Sequence, residues 1–141
     1  MNAANENALE FMVSELNKAL IEVSQKESGR EGVDFLIGTN EIYLQSINLD
    51  TAQRSIKISK QDLGELKNNL FIALVLIIDK TPRVLYIIPS KQLLQSDSNT
   101  FINNEVSLMP SLSNWEIKIS TNSLHKLENY TISNQIEKLN S

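Results

Sequence analysis

Few residues in this chain of 141 have side chains and spacings that could do chemistry. Asp34 is an acid set in an apolar strand pattern, GVDFLIG. Gln45 lies in a second strand pattern, Ile42 to Leu49. Alternation there places Glu41, Tyr43, Gln45, Ile47 and Leu49 on one face and Ile42, Leu44, Ser46 and Asn48 on the other. Lys57 sits between Ile56 and Ile58 in a third pattern, Ser55 to Ser59. Carboxylate and amide oxygens are the ligand types that hard divalent cations take, and Asp34 and Gln45 carry them. Arg54, Lys57 and Lys60 are the candidates for nucleic-acid binding, because closely spaced cations contact phosphates. Glu15 and Glu22 are carboxylates on the first helix. Each has a plain alternative: Asp34 as a polar strand-end residue, Lys57 as a solvated strand residue, the helical glutamates as surface charge.

Composition removes several classes of function. The chain has no cysteine and one histidine, His125, so disulfides, thiolate sites and histidine clusters for zinc are out. His125 reads as a helix-surface residue and Trp115 as a core anchor rather than a base-stacking platform. No serine has a nucleophile-elbow context, and the four glycines form no phosphate-binding motif. The net charge of −4 argues against a general nucleic-acid coat. It leaves room for a local basic groove, since Lys67, Lys80, Arg83 and Lys91 continue the run begun by Arg54. The N-terminus, MNAANENALE, lacks the basic and apolar regions of a signal peptide. The longest apolar run, Leu70 to Ile78, is too short to span a bilayer as a helix. The expectation is one cytoplasmic domain over residues 1–141 with no membrane association.

The elements that would position these residues follow from hydrophobic periodicity. Asn5 to Val23 predicts a helix, with Leu9, Met12, Val13, Leu16, Leu20 and Val23 as its apolar stripe. Ser24 to Gly32 reads as a loop. Val33–Ile37, Ile42–Leu49 and Ser55–Ser59 read as consecutive antiparallel strands, a meander. Gln61 to Asn69 predicts a short helix, which Gly64 weakens. Phe71–Ile78 and Arg83–Ile88 predict a hairpin, its turn at Asp79–Pro82 and its first strand buried on both faces. Ser90–Gln95 predicts a short helix, Ser96–Asn104 a loop and Trp115–Ile119 a strand. A last helix spans Thr121–Leu139, capped by Ser120 or Thr121 and open to interruption at Thr131–Asn134.

The order helix, three strands, helix, strand, strand resembles the αβββαβ core of the PD-(D/E)xK, or restriction-endonuclease-like, superfamily. Gly32-Val33-Asp34 resembles the Gly-hydrophobic-Asp of that family. Glu41-Ile42-Tyr43-Leu44-Gln45 with Ser59-Lys60-Gln61-Asp62-Leu63 resembles its strand–turn–helix passage, and Leu85-Tyr86-Ile87-Ile88-Pro89-Ser90 a segment of its small prokaryotic members. The likeness covers Leu9 to Ser90. It implies an α/β fold with a central mixed sheet flanked by helices. It also implies a site in which two carboxylates hold a magnesium-type cation and a lysine two residues beyond the second acid orients water. Asp34 matches the first acid. Gln45 stands where the second acid belongs, and Ile47 where the lysine belongs. Asp34, Gln45 and a migrated Lys57 are thus the vestigial catalytic candidates, with Mg2+ bound only if the site is intact and otherwise no cofactor.

The functional expectation is a catalytically inactive nuclease-like domain that binds nucleic acid or a protein partner. Two alternatives stand beside it. One is an active metal-dependent nuclease with a rearranged site. The other is a structural protein without a nucleic-acid role, forming a homodimer through a sheet edge or an apolar helix face.

Overall fold

The computed structural model describes residues 3–25, 34–95 and 100–139. Gly32 and Val33, which carry part of the family likeness, lie outside them. In chain order the elements are α1 (Ala3–Lys18), β1 (Ser24–Gln25), β2 (Phe35–Ile37), β3 (Asn40–Asn48), β4 (Ser55–Ser59), α2 (Lys60–Leu63), β5 (Leu70–Ile78), β6 (Thr81–Pro89), β7 (Phe101–Asn104), β8 (Asn114–Lys118), α3 (Thr121–Leu127) and α4 (Ile132–Leu139). Short 3-10 turns lie at Ser90–Leu94, Pro110–Leu112 and Glu128–Tyr130.

β5 is the centre. Its nine residues LFIALVLII are all buried but the last, as a strand covered on both faces requires. It runs parallel to β3, with Gln45 opposite Leu74 and Ile47 opposite Leu76, and antiparallel to β6. Together with β1 and β2 these strands form a mixed five-stranded sheet in the order β1-β2-β3-β5-β6. Alternation along β5 divides the core in two. Phe71, Ala73, Val75 and Ile77 meet Ala8, Met12 and Leu16 of α1 and Leu139 of α4. Leu70, Ile72, Leu74 and Leu76 meet Ile56, Ile58, Trp115, Ile117 and Phe101.

That second cluster marks the main departure from expectation. β4 does not complete a meander with β2 and β3. It pairs antiparallel with β8, Ile58 opposite Trp115, in a separate sheet ordered β4-β8-β7. The antiparallel run of the large sheet is β1-β2-β3 instead, because Ser24 and Gln25, expected in a loop, pair with Leu36 and Phe35. One face of the large sheet is therefore covered by helices and the other mainly by a second sheet. Phe101–Asn104, also expected in a loop, is the edge strand β7.

Two helices are shorter than their periodicity predicts. α1 ends at Lys18. The Leu20 and Ile21 amides then bond back to the Asn17 and Leu16 carbonyls, at 2.9 Å each, which is a Schellman stop. Leu20 occupies its left-handed position at φ 63°, where glycine is usual, and its side chain is 93% exposed rather than part of the stripe. α2 covers only Lys60–Leu63, because Gly64, at φ 78°, closes it. The C-terminal helix is interrupted, but earlier than the expected Thr131–Asn134: α3 starts from a Ser120–Ser123 capping box, the 3-10 turn at Glu128–Tyr130 separates it from α4, and Ile132–Asn134 are already helical.

The β5–β6 turn is a two-residue loop, Asp79-Lys80, between Ile78 and Thr81. Both residues have positive φ, 54° and 64°, without the glycine that such a turn favours. Asp50, in the loop after β3, supports it by accepting hydrogen bonds from the Asp79 and Lys80 amides at 2.7 Å each. The Lys80 and Asp79 amides hold the Asp50 carboxyl below its ordinary value of 3.8. The unfolded chain thus binds the proton more tightly than the folded one. This contribution to stability is present above about pH 3.8 and is lost as pH falls through the depressed folded value. In thermal melts taken from neutral pH into acid, Asp50→Asn is expected to melt below the wild type at neutral pH and to show a shallower acid decline. Parallel acid limbs in the two proteins would remove Asp50 from this role.

Candidate functional site

The β2–β3 hairpin register, Phe35 opposite Ile42 and Leu36 opposite Glu41, brings Asp34 alongside the middle of β3. Asp34 precedes β2 in a bend. Its amide donates to the Ile42 carbonyl at 2.8 Å, and its Oδ2 accepts the Leu44 amide at 3.1 Å. β2 begins at Phe35, and just before it the Asp34 carboxylate serves as a side-chain acceptor for a β3 amide. Gln45 follows Leu44 on the face that looks toward the small sheet, between Tyr43 and Ile47, which are 3% and 0% exposed. The register therefore sets the Asp34 carboxylate against the β3 backbone at Leu44, one residue before Gln45. Ile47, at the lysine position, is wholly inside the core.

The other candidates do not join them. Lys57 is exposed on β4, across from Glu116, on the face of the small sheet that points away from the large one. Ile56 and Ile58, facing inward, lie between Lys57 and Gln45. The Glu116 carboxyl is held below the usual carboxylate range by the Asn104 amide and the Ser55 hydroxyl, with Lys57 and Lys118 nearby. The outer face is thus a polar network around a glutamate. Arg54 turns back on its own loop, donating through Nη1 to the carbonyls of Leu49, Thr51 and Gln53 at 3.4, 2.8 and 2.7 Å. Lys60 lies over the Trp115 ring, 4.2 Å from its centroid, and pairs with Glu105 and Asn103. Arg54, Lys57 and Lys60 therefore do not converge. Glu15 pairs with Lys18 on α1, against the sheet face opposite Gln45, and Glu41 pairs with Lys67 at 2.6 Å.

These donors do not fit a magnesium-type cation. Such an ion takes six oxygens in near-octahedral geometry, usually anchored by carboxylates. Here one carboxylate is tied to a backbone amide, its neighbour is a neutral amide, and the next position is an alkyl side chain. Among the described residues no three His, Cys, Asp or Glu side chains form a group that could hold a metal ion.

A second locus was not visible in the sequence. At the start of β3, a cleft of about 450 Å³ is lined by Lys67, Lys91 and Lys138 with Asn40, Asn68 and Asn69. Lys67 and Lys91 stood out only as members of a basic run; Lys138 and the asparagines carried no signal. Four chain segments build it: the start of β3, the turn into β5, the 3-10 turn after β6 and the last turn of α4. Ser90 joins two of them, its hydroxyl accepting the Lys67 amide at 3.2 Å and donating to the Lys67 carbonyl at 2.9 Å. Asn69 donates to the Thr39 carbonyl and buried Asn40 to the Leu139 carbonyl, both at 2.9 Å.

No helix among the described residues is long and apolar enough to cross a membrane. Comparison with protein families, with curated proteins and with solved structures finds no match to this chain.

Proposed function

We propose that this chain is a non-cleaving domain of the PD-(D/E)xK type, a module that acts by binding and whose partner is a protein rather than a nucleic-acid duplex. The observation that carries the reading is the use made of the two key positions. Asp34 serves as a strand acceptor for the Leu44 amide, and the lysine position is filled by Ile47 at 0% exposure. The order of α1, the antiparallel run β1-β2-β3, a crossover and β5 parallel to β3 supports the family likeness, with β4 and the short α2 in the crossover where the family places a helix. The choice of a protein partner rests on charge. Arg54 and Lys60 are engaged within the chain, Lys57 faces elsewhere, and the net charge is −4, which opposes long-range attraction to a polyanion. The β7–β8 loop also presents Leu108, Met109 and Leu112, each more than half exposed, contact chemistry that suits an apolar recess on a protein.

The test has two arms. Incubation with plasmid and oligonucleotide DNA in magnesium or manganese is expected to give no cleavage. Asp34→Ala is expected to lose about 1–3 kcal/mol of stability, the cost of an unpaired backbone amide, with no change in activity. Metal-dependent cleavage that Asp34→Ala abolishes would overturn the reading. A low-salt titration with single- and double-stranded oligonucleotides bearing 5′-hydroxyl ends is expected to show no saturable binding. Binding that Arg54→Ala/Lys57→Ala/Lys60→Ala weakens would reassign the partner to nucleic acid.

A further inference from the structure

Lys67, Lys91 and Lys138 line one cleft in a chain that is acidic overall. Glu41 neutralises part of this charge through Lys67, and Lys91 makes no ion pair among the described residues. Asn68, whose side chain is exposed on the turn, adds a neutral donor. Phe71 and Pro89 give the cleft an apolar side. Its framework is fixed by hydrogen bonds: Ser90 ties the lysine-bearing segments, Asn69 ties the β2–β3 turn, and Asn40 ties the end of α4. Ammonium groups and amides around an apolar patch suit an anion with several acceptor oxygens attached to a larger body. A volume of about 450 Å³ falls within the range of small-molecule sites and exceeds what a bare tetrahedral anion fills.

We propose that this cleft binds a terminal phosphate monoester, with Lys91 and Lys67 on the phosphate and Asn68 and Asn69 at its edge. The site lies some 16 Å along β3 from Gln45, from five residues at the strand rise, and does not depend on whether the chain cleaves nucleic acid. A phosphate monoester can reach it as a free nucleotide or as the phosphorylated end of an oligonucleotide.

The experiment titrates isotopically labelled full-length protein with inorganic phosphate, with a nucleoside monophosphate, and with one oligonucleotide in 5′-phosphate and 5′-hydroxyl forms, all at constant ionic strength. Inorganic phosphate and the monophosphate are expected to saturate, the monophosphate more tightly, and to shift the Asn68 and Asn69 side-chain amide signals. Lys91→Gln is expected to weaken binding about tenfold, the loss of one charge-assisted hydrogen bond. Lys118→Gln, which removes the same charge from the small sheet's outer face, is expected to leave binding as in the wild type. Circular dichroism checks that both variants fold. Tighter binding of the 5′-phosphate oligonucleotide than of the monophosphate identifies the source as a nucleic-acid end; the reverse identifies a free nucleotide. The proposal is overturned if no phosphate probe saturates, if Lys91→Gln and Lys118→Gln weaken binding equally, or if the 5′-hydroxyl oligonucleotide binds as well as its phosphorylated form.

Discussion

Ile47→Lys, which places a lysine where the proposed PD-(D/E)xK reading would require one, is expected to abolish folding rather than give cleavage. Ile47 is 0% exposed and packs in the cluster that holds Tyr43, Leu76, Ile56 and Trp115. Losing the packing of a buried isoleucine costs about 2–5 kcal/mol. An ammonium with no carboxylate partner in that cluster adds several kcal/mol of desolvation. The sum approaches the whole stability of a domain this size, about 5–15 kcal/mol. Circular dichroism and solubility after expression provide the check. Ile47→Met, which roughly conserves volume, is expected to fold and to lose under about 1.5 kcal/mol. A soluble, folded Ile47→Lys protein that cuts DNA in magnesium would mean that this face of β3 opens to solvent, and the non-cleaving reading would fall with it.

The β5–β6 hairpin could be read from the sequence because its signals are local. Leu70–Ile78 is uniformly apolar, a turn follows, and a second apolar run, Val84–Ile88, comes after Arg83. The Ser120 cap was legible for the same reason. The partner of β4 was not. The alternation in Ser55–Ser59 assigns Ile56 and Ile58 to a buried face, but it does not say which sheet carries that face. The partner, β8, comes far along the chain after two intervening strands of the large sheet, and proximity in sequence favoured β3. Leu20 misled in another way. It continues the helical period of Leu9 and Leu16, yet it sits in the left-handed position of a helix stop without the glycine that would have signalled the end.

The same division holds for the candidate site. Pairing Val33–Ile37 with Ile42–Leu49 was enough to bring Asp34 alongside β3, because a hairpin has few registers. The use of the Asp34 carboxylate as a strand acceptor was not visible, since the apolar pattern placed Asp34 within the strand, whereas β2 begins at Phe35. The placement of Lys57 on the far side of a hydrophobic layer followed from the error over β4. The lysine cleft needed four segments in register at once, and no window of sequence contains them.

Trp115→Ala is expected to lose about 3–5 kcal/mol, as for a buried aromatic replaced by alanine. Trp115 is 7% exposed on the inner face of β8, the middle strand of the small sheet, and it packs in the cluster with Ile58, Phe101 and Leu74. Removing it leaves a void between the two sheets that rigid β5 and paired β4 cannot close. Lys60, whose Nζ lies 4.2 Å from the ring centroid, loses a cation–π contact worth about 0.5–1 kcal/mol. Lys60→Ala alone is therefore expected to cost about 1–2 kcal/mol at most, once a partly exposed pair with Glu105 is counted at no more than about 1 kcal/mol. Urea unfolding followed by circular dichroism measures both variants, since the chain has a single tryptophan and its removal takes the fluorescence signal with it. A base-stacking platform would behave in the opposite way: alanine would leave stability nearly unchanged and weaken single-strand affinity. That outcome would move Trp115 from the core to a nucleic-acid surface and would place Lys60 beside it as a phosphate contact.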